Sequence, residues 1–426
     1  MRKSLSLKTK EIFILAALIL FLLLGLCAVY SGVYRAVEKI NDTENINQDV
    51  VFAKEYPFPD ADADLTTAEE STPLRQYLAE AGKLTDRIDN YSGKKNIVAP
   101  FFLKLYGITT KALGKNLIDD AENPVIRLEN GYLTYTYLYS GDYENYAGFS
   151  AFKEWLSKKN IGFLNVIPAD KSDPRFAAYP KGFPVRDVEE GTEYIQYLDD
   201  NEIPYLDSGE FLVSQNGDFY SQFYNTDHHW NVHAGFSLAE AIAKRLNSDF
   251  GLPVDTNVLN KAKFKSVTYE NAFLGSQGKK ATDGYVPPED FEVFYPNFDT
   301  AFSIEISTKM IDRIGTFENT LLDSQALKPG NVYTKSAYGA FLHGDVPLAR
   351  IHNLNCNNGT RALMIKTSDA NVVDTYLAFT IEYLDIIDPR HFDGSIRTFI
   401  EKNPPDVVLT CAYPSEALDN KMMDIG

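Results

Sequence analysis

Cysteine, histidine and positive charge are all in short supply in this sequence, and each shortage removes a class of reading. Three cysteines in 426 residues are too few for a disulfide framework. Cys27 lies in an apolar run, and Cys356 and Cys411 are compatible with one bond in an oxidising exterior or with two free thiols. Lys and Arg together number 41 against 59 Asp and Glu, a formal charge of −18 and a pI near 4.8. The N-terminal segment is basic, so the body is more acidic still. Nucleic-acid binding, which needs Lys and Arg to neutralise phosphates, is disfavoured. No internal repeat and no low-complexity tract is present. What remains is 44% apolar content, enough core for one large domain or two small ones.

The one long hydrophobic stretch runs from Ile12 to Tyr30 without a charge, behind Arg2, Lys3, Lys8 and Lys10. At roughly 1.5 Å per residue it spans a bilayer core of about 30 Å. The cationic flank places residues 1–11 in the cytoplasm, residues 12–30 in the membrane as a single-pass anchor and the C-terminal body outside. A cleaved signal peptide is the rival reading, since "CAVYSG" offers small residues near a cut. Residues 31–92 are polar, acidic and punctuated by proline, a tether or lead-in.

From about Gly93 the texture changes. "YGITTKALGKNLI" and "PVIRLENGYLTYTYLY" are rich in β-branched and aromatic residues around the turn signal Asn130-Gly131, which predicts strands. An alternation follows: "AFKEWLSKKN" as helix, "IGFLNVIPA" as buried strand, "GTEYIQYLDDN" as helix and "IPYLD" as strand. "HAGFSLAEAIAKRLNSDFG" carries apolar residues at Phe236, Ala239, Ala243 and Leu246 and stops at Gly251. Residues of about 252–360 break the rhythm and predict a β-rich insertion. The alternation resumes with "RALMIK", "DANVVDTYLAFTI", "YLDIID", "GSIRTFIEKNP" and "DVVLTCAY". The expected fold over residues 93–426 is α/β: a parallel sheet flanked by helices and split by the insertion.

Parallel sheets place active sites beyond the carboxyl ends of their strands. "FYNTDHHWNVHAGF", residues 223–236, holds three of the 6 histidines. Asp227 and His229 are two apart, so in an extended loop they point the same way. The carboxylate then fixes one imidazole nitrogen and leaves the other facing a reactant. Ser368, after the strand "RALMIK" and before a helix, is the natural nucleophile, and its N–H lies where helix-start donors can face an oxyanion. Taken singly these are surface-loop residues or helix caps; together they suggest a Ser-His-Asp unit. Trp230 and His228 are candidates for substrate contact. A zinc site on His229 and His233 lacks the intervening Glu and a third ligand, and the paired-metal phosphoesterase reading of "DHH" lacks its aspartate motifs. No metal and no cofactor is expected.

"TDHHWN", "FLGSQGKKA", "AFLHGDVPLARIHN", "ALMIKTSDAN" and "LDIIDPRHF", in this order over residues 95–415, resemble the DHHW protein family of Gram-positive bacteria. That family is similar to alginate O-acetyltransferases with an SGNH-hydrolase-like domain. The resemblance implies Asp227 and His229 as two triad members and Ser368 as nucleophile. It departs at Thr367, where the pattern has Asp, and at Asp369, where it has an aromatic. A carboxylate beside the nucleophile would repel a developing oxyanion. The implied function is a membrane-anchored, extracellular O-acetyltransferase or acetylesterase acting on a cell-surface polysaccharide, with a membrane-bound O-acyltransferase as partner. The alternative is an inactive glycan-binding or scaffold protein.

Overall fold

Runs of β-branched and aliphatic residues broken by turn signals set the strands, and stretches with helical spacing set what covers them. A computed structural model of the chain describes residues 99–118, 124–135, 147–173, 175–177, 179–181, 183 and 188–412. These lie in one compact unit, residues 88–426. The expected segments 1–11, 12–30 and 31–92 fall outside the described residues. Among the described residues no helix is long and apolar enough to cross a membrane.

In chain order the elements are α1 (Ala99–Ala112), β1 (Val125–Arg127), β2 (Leu133–Tyr135), α2 (Ala147–Ser157), β3 (Gly162–Ile167), α3 (Val188–Asp200), β4 (Tyr205–Asp207) and α4 (Ser208–Asn216). Then come α5 (Val232–Phe250), β5 (Phe264–Phe273), α6 (Ser276–Ala281), β6 (Glu289–Pro296), β7 (Phe302–Ile306), β8 (Ile311–Gly315) and α7 (Phe317–Thr320). The chain continues through β9 (Leu348–Asn353), β10 (Arg361–Lys366), α8 (Ala370–Leu377), β11 (Tyr383–Ile387), α9 (Ile396–Lys402) and β12 (Val407–Cys411).

A mixed eight-stranded sheet runs in the order β4-β3-β12-β10-β11-β9-β7-β8. β4, β3, β12, β10 and β11 are parallel, joined by helical crossovers as the alternation predicts. The expected all-parallel sheet is corrected by β9, β7 and β8, which extend it antiparallel beyond β11. Most of the supposed insertion's strands are thus built into the main sheet, and only β5 and β6 stand apart as a ribbon. The short link from β7 to β8 can only turn the chain back, and antiparallel pairing satisfies the backbone without a crossover helix.

Alternation along β10 divides the interior. Ala362 and Met364 join one cluster with α5 and α8, while Leu363 and Ile365 join another with residues of α2, α3 and α9. Helix α5 comes close to α8 because Gly235 has no side chain; a Cβ there would overlap Val372. Gly251, at φ 65, ends α5 in the left-handed conformation anticipated from its sequence. The Asn130-Gly131 hairpin of β1 and β2 also forms, with Gly131 at φ 92.

One element is of the wrong type. "YGITTKA", expected as strand from its β-branched residues, is the last half of α1. Propensity is overruled there by packing: a Cβ on Gly107 would overlap the Thr282 hydroxyl, and that hydroxyl donates to the Leu103 carbonyl at 2.9 Å. Cys356 and Cys411 are not joined to each other by a disulfide.

Candidate active site

β3 leads to β4 on one side of β12 and β10 leads to β11 on the other, so the order of connection reverses between them. The loops leaving β3 and β10 open at this switch, where open α/β sheets receive ligands. The segment before α5 closes over the same edge, held by an isolated bridge between Phe223 and Trp230. Asn231 ends it by capping α5, accepting from the His233 and Ala234 N–H groups.

Asp227 and His229 meet as the spacing implies. Asp227 Oδ1 is 2.5 Å from His229 Nδ1 and accepts the His229 backbone N–H at 3.1 Å. Its other oxygen accepts the Ser276 N–H at 2.6 Å. Burial alone would push this carboxyl up, but His229, His228 and these hydrogen bonds hold it well below the usual carboxylate range. The acid is therefore ionised at any working pH. With Nδ1 committed to Asp227, His229 has Nε2 left, and that atom is buried without a hydrogen-bond partner.

Ser368 lies in the turn between β10 and α8, half-buried, and the Tyr338 hydroxyl shares its proton between the carbonyls of Ser368 and Asp369, each at 3.1 Å. The Tyr338 ring lies against His229, with centroids 3.9 Å apart and planes 16° from parallel. The turn carrying Ser368 and the imidazole thus both contact Tyr338, one through its hydroxyl and the other through its ring. No hydrogen bond joins Ser368 Oγ to His229 in this structure; such contacts are often loose before substrate arrives and tighten with it bound.

The loop is braced by residues that the sequence did not single out. Thr226 and Asn225 donate their N–H groups to Glu289, each at 2.7 Å. Gly275 N–H donates to the Thr226 hydroxyl at 2.9 Å, and Gly278 N–H to the Thr226 carbonyl at 2.8 Å. Lys171, in the loop after β3, is wholly buried and donates to the Tyr224 and Asn225 carbonyls and to Gln277 Oε1, at 2.8, 3.0 and 2.9 Å. Burial lowers its ammonium to about 8 against the pull of Glu289, Asp227 and Asp170. Only its position after a buried parallel strand could have marked Lys171 from sequence. Gly275 and Ser276 sit in "FLGSQGKKA", but nothing local shows that they face Asp227.

The two candidates for substrate contact separate. Trp230 is fully buried in the main core, so it holds the loop from behind and offers no face to a ligand. His228 is half-buried, 3.4 Å from Asp227 Oδ1 and 3.2 Å from the Ser276 hydroxyl, both through Nδ1. Burial and then the neighbouring His229 lower its basicity. Using one nitrogen for both contacts, His228 cannot relay a proton between Ser276 and Asp227.

His233 does not share a site with His229. Its Nε2 is 2.6 Å from Glu292 and its Nδ1 2.8 Å from Lys261 Nζ. Asp227, His228 and His229 do bring ligand-type atoms within 4.8 Å of one another. Asp227 and His229 are hydrogen-bonded to each other there, so a cation would have to displace the proton between them. A second such group, Asp345, Asp388 and His391, already has a cation: Arg390 reaches Asp345 at 3.2 Å and Asp388 at 2.7 Å.

Asp369, where the sequence departs from the expected motif, is buried with one oxygen unpartnered and the other 3.2 Å from the Thr367 hydroxyl. Burial pushes it up to about 6, opposed by His228. The charge expected beside Ser368 is therefore absent in acid and appears as pH rises.

No family model matches the sequence, and no curated protein matches it. Solved structures do. A DHHW family protein from Eubacterium siraeum superposes with a TM-score of 0.55 at 18% identity, over 72% of this chain and 97% of that one. The chain shares its fold. PatB1 from Bacillus cereus is similar with a TM-score of 0.57 at 17% identity, over 71% and 99% of the two chains. A further PatB1 structure carries a sulfonyl adduct and matches with a TM-score of 0.55 at 18% identity. The resemblance seen in "TDHHWN" and its companion segments is thus met in three dimensions by a DHHW family protein.

Proposed function

We propose that the site performs acyl transfer, as an O-acetyltransferase or acetylesterase on a cell-surface polysaccharide. Ser368 is the nucleophile, His229 the base and Asp227 the group that orients it. The observation that carries this reading is the buried pair: Asp227 binds His229 Nδ1 at 2.5 Å while Nε2, unpartnered, is left to take a proton. Asp227 selects the tautomer and stabilises the imidazolium.

In the first half-reaction Ser368 Oγ gives its proton to His229 Nε2 and attacks the acetyl carbonyl carbon. The bond from that carbon to the donor oxygen breaks, and the donor leaves as an alcohol with the proton from His229. In the second, a sugar hydroxyl or water gives its proton to His229 and attacks the acetyl-serine carbonyl carbon, the bond from that carbon to Oγ breaks, and Ser368 Oγ takes the proton from His229. The N–H groups of Ser368 and Asp369, at the open start of α8, are suited to the oxyanion. The sulfonyl adduct of PatB1 supports a reactive nucleophile in a protein of this fold. The charge asymmetry around residues 12–30 supports an anchored body facing outward, where a membrane-bound O-acyltransferase would be the acetyl source.

The test is aryl acetate turnover by the parent, Ser368→Ala, His229→Ala and the double variant. Members of one unit act together, so the three variants should share a similar residual rate, with an acetyl group trapped on Ser368 in the parent alone. Unequal, additive losses would refute a shared mechanism. The buried carboxyl of Asp369 favours a second reading, a glycan-binding or scaffold protein that has lost the chemistry; it predicts no acetyl-enzyme and retained binding of polysaccharide.

A further inference from the structure

A hydrogen bond to one nitrogen fixes where an imidazole points along that bond but leaves the ring able to rotate about it. For His229 the bond to Asp227 therefore does not by itself aim Nε2. The ring needs a contact on its face, and Tyr338 supplies the near-parallel one at 3.9 Å and 16°, while His228 lies at the same distance but tilted by 35°. The Tyr338 hydroxyl holds the two successive carbonyls of Ser368 and Asp369. Tyr338 itself is buried in the turn Ala337–Ala340 and packs edge-on against Phe341, so its own position is fixed.

We propose that Tyr338 is the positioning residue of the site: its ring sets the plane of His229, its hydroxyl sets the turn that presents Ser368, and one rigid side chain thereby aligns base and nucleophile. This rests on the acyl-transfer reading above. The two functions are separable by chemistry. The ring plane needs an aromatic; the turn needs a hydroxyl. Burial raises the phenol well above its ordinary range, so it stays protonated and remains a donor throughout the working pH. A tyrosine that merely filled the core would be replaced by phenylalanine without consequence for either group, because the ring volume is kept and only the hydroxyl is lost.

The experiment uses the full chain with ¹⁵N-labelled histidine, practical because there are only 6. Ser368 is probed with an aryl sulfonyl fluoride: Oγ displaces fluoride at sulfur, its proton passes to His229, and intact mass reads the product. Tyr338→Phe should leave the His229 tautomer signals as in the parent yet slow labelling of Ser368 about 10-fold through the loosened turn. Tyr338→Leu should keep the tautomer that Asp227 selects but shift the His229 nitrogen signals as the bond to Asp227 loosens, and slow labelling on the order of 100-fold. If the leucine variant does not fold, as melting would show, the phenylalanine variant decides alone. Phenylalanine labelling at the parent rate overturns the proposal, as does a folded leucine variant with unchanged His229 signals. A parent that never labels removes the acyl-transfer reading, and this proposal with it, and is told apart because the defect then precedes any substitution.

Discussion

Gly275 faces Asp227 so closely that a methyl group in place of its hydrogen would overlap the aspartate's Cβ and Oδ2, and would come within 2.5 Å of the Thr226 carbonyl. Asp227 has its position from this contact as much as from its hydrogen bonds. Gly275→Ala should displace the carboxylate from His229, lowering turnover on the order of 100-fold while costing about 1–3 kcal/mol of stability. Aryl acetate kinetics together with urea denaturation check this. Full turnover with an unchanged midpoint would show that the loop has slack that the structure denies it.

Lys171 makes a second prediction. Its ammonium is the donor for three buried acceptors, two of them carbonyls of the loop that carries Asp227. Lys171→Met fills the space but leaves those acceptors without a donor, at a cost of about 3 kcal/mol. Turnover should fall with it, because the loop loses its tie to β3. A variant as stable as the parent would mean that water replaces the ammonium without loss.

The sequence made the parallel half of the sheet and the Asp227-His229 pair legible because both are written locally. Buried strands such as "RALMIK" are short apolar runs, and a D-x-H spacing fixes its own geometry in two residues. The antiparallel extension by β7, β8 and β9 was not legible, since a strand's sheet is settled by partners far along the chain. For the same reason Lys171, Gly275, Glu289 and Tyr338 were missed: each acts on residues 30 or more positions away, and a lone lysine or tyrosine carries no local mark of that. Trp230, a candidate for substrate contact, packs into the core, and an aromatic beside a candidate site looks the same in sequence whether it faces the ligand or the core.

Asp374 yields a prediction for stability. It is buried in α8 with neither oxygen hydrogen-bonded, and burial pushes it up to about 8, with Lys366 opposing. A carboxyl raised in the folded state binds its proton there more readily than in the unfolded chain. Its contribution is fully present below the ordinary value of 3.8 and is lost as pH rises to about 8. The loss is at most about 1.4 kcal/mol per pH unit. Asp374→Asn removes that slope, so the variant should gain on the parent between about pH 5 and about pH 8 in urea titrations. A constant difference across that range would place the proton elsewhere.

Asp369 gives the pH dependence of the chemistry itself. Its carboxyl, pushed up to about 6 by burial, is faced by His228 from the loop before α5, by Asp170 from the loop after β3, by Arg390 from the loop after β11 and by Thr367 from its own turn. Below about 6 it is neutral and does not oppose a negative oxygen forming at Ser368; above that it is charged and does. Asp369→Asn keeps the shape and never ionises. The ratio of kcat/KM for the variant to that of the parent should therefore be near one in acid and climb through pH 6 to about 10-fold at alkaline pH, the size expected for a partly screened charge a few ångströms from the oxyanion. A ratio that stays flat would show that the Asp369 charge is turned away from the reaction. No acetyl-enzyme in either protein at any pH would instead favour the glycan-binding reading, because the repulsion would then not be what silences Ser368.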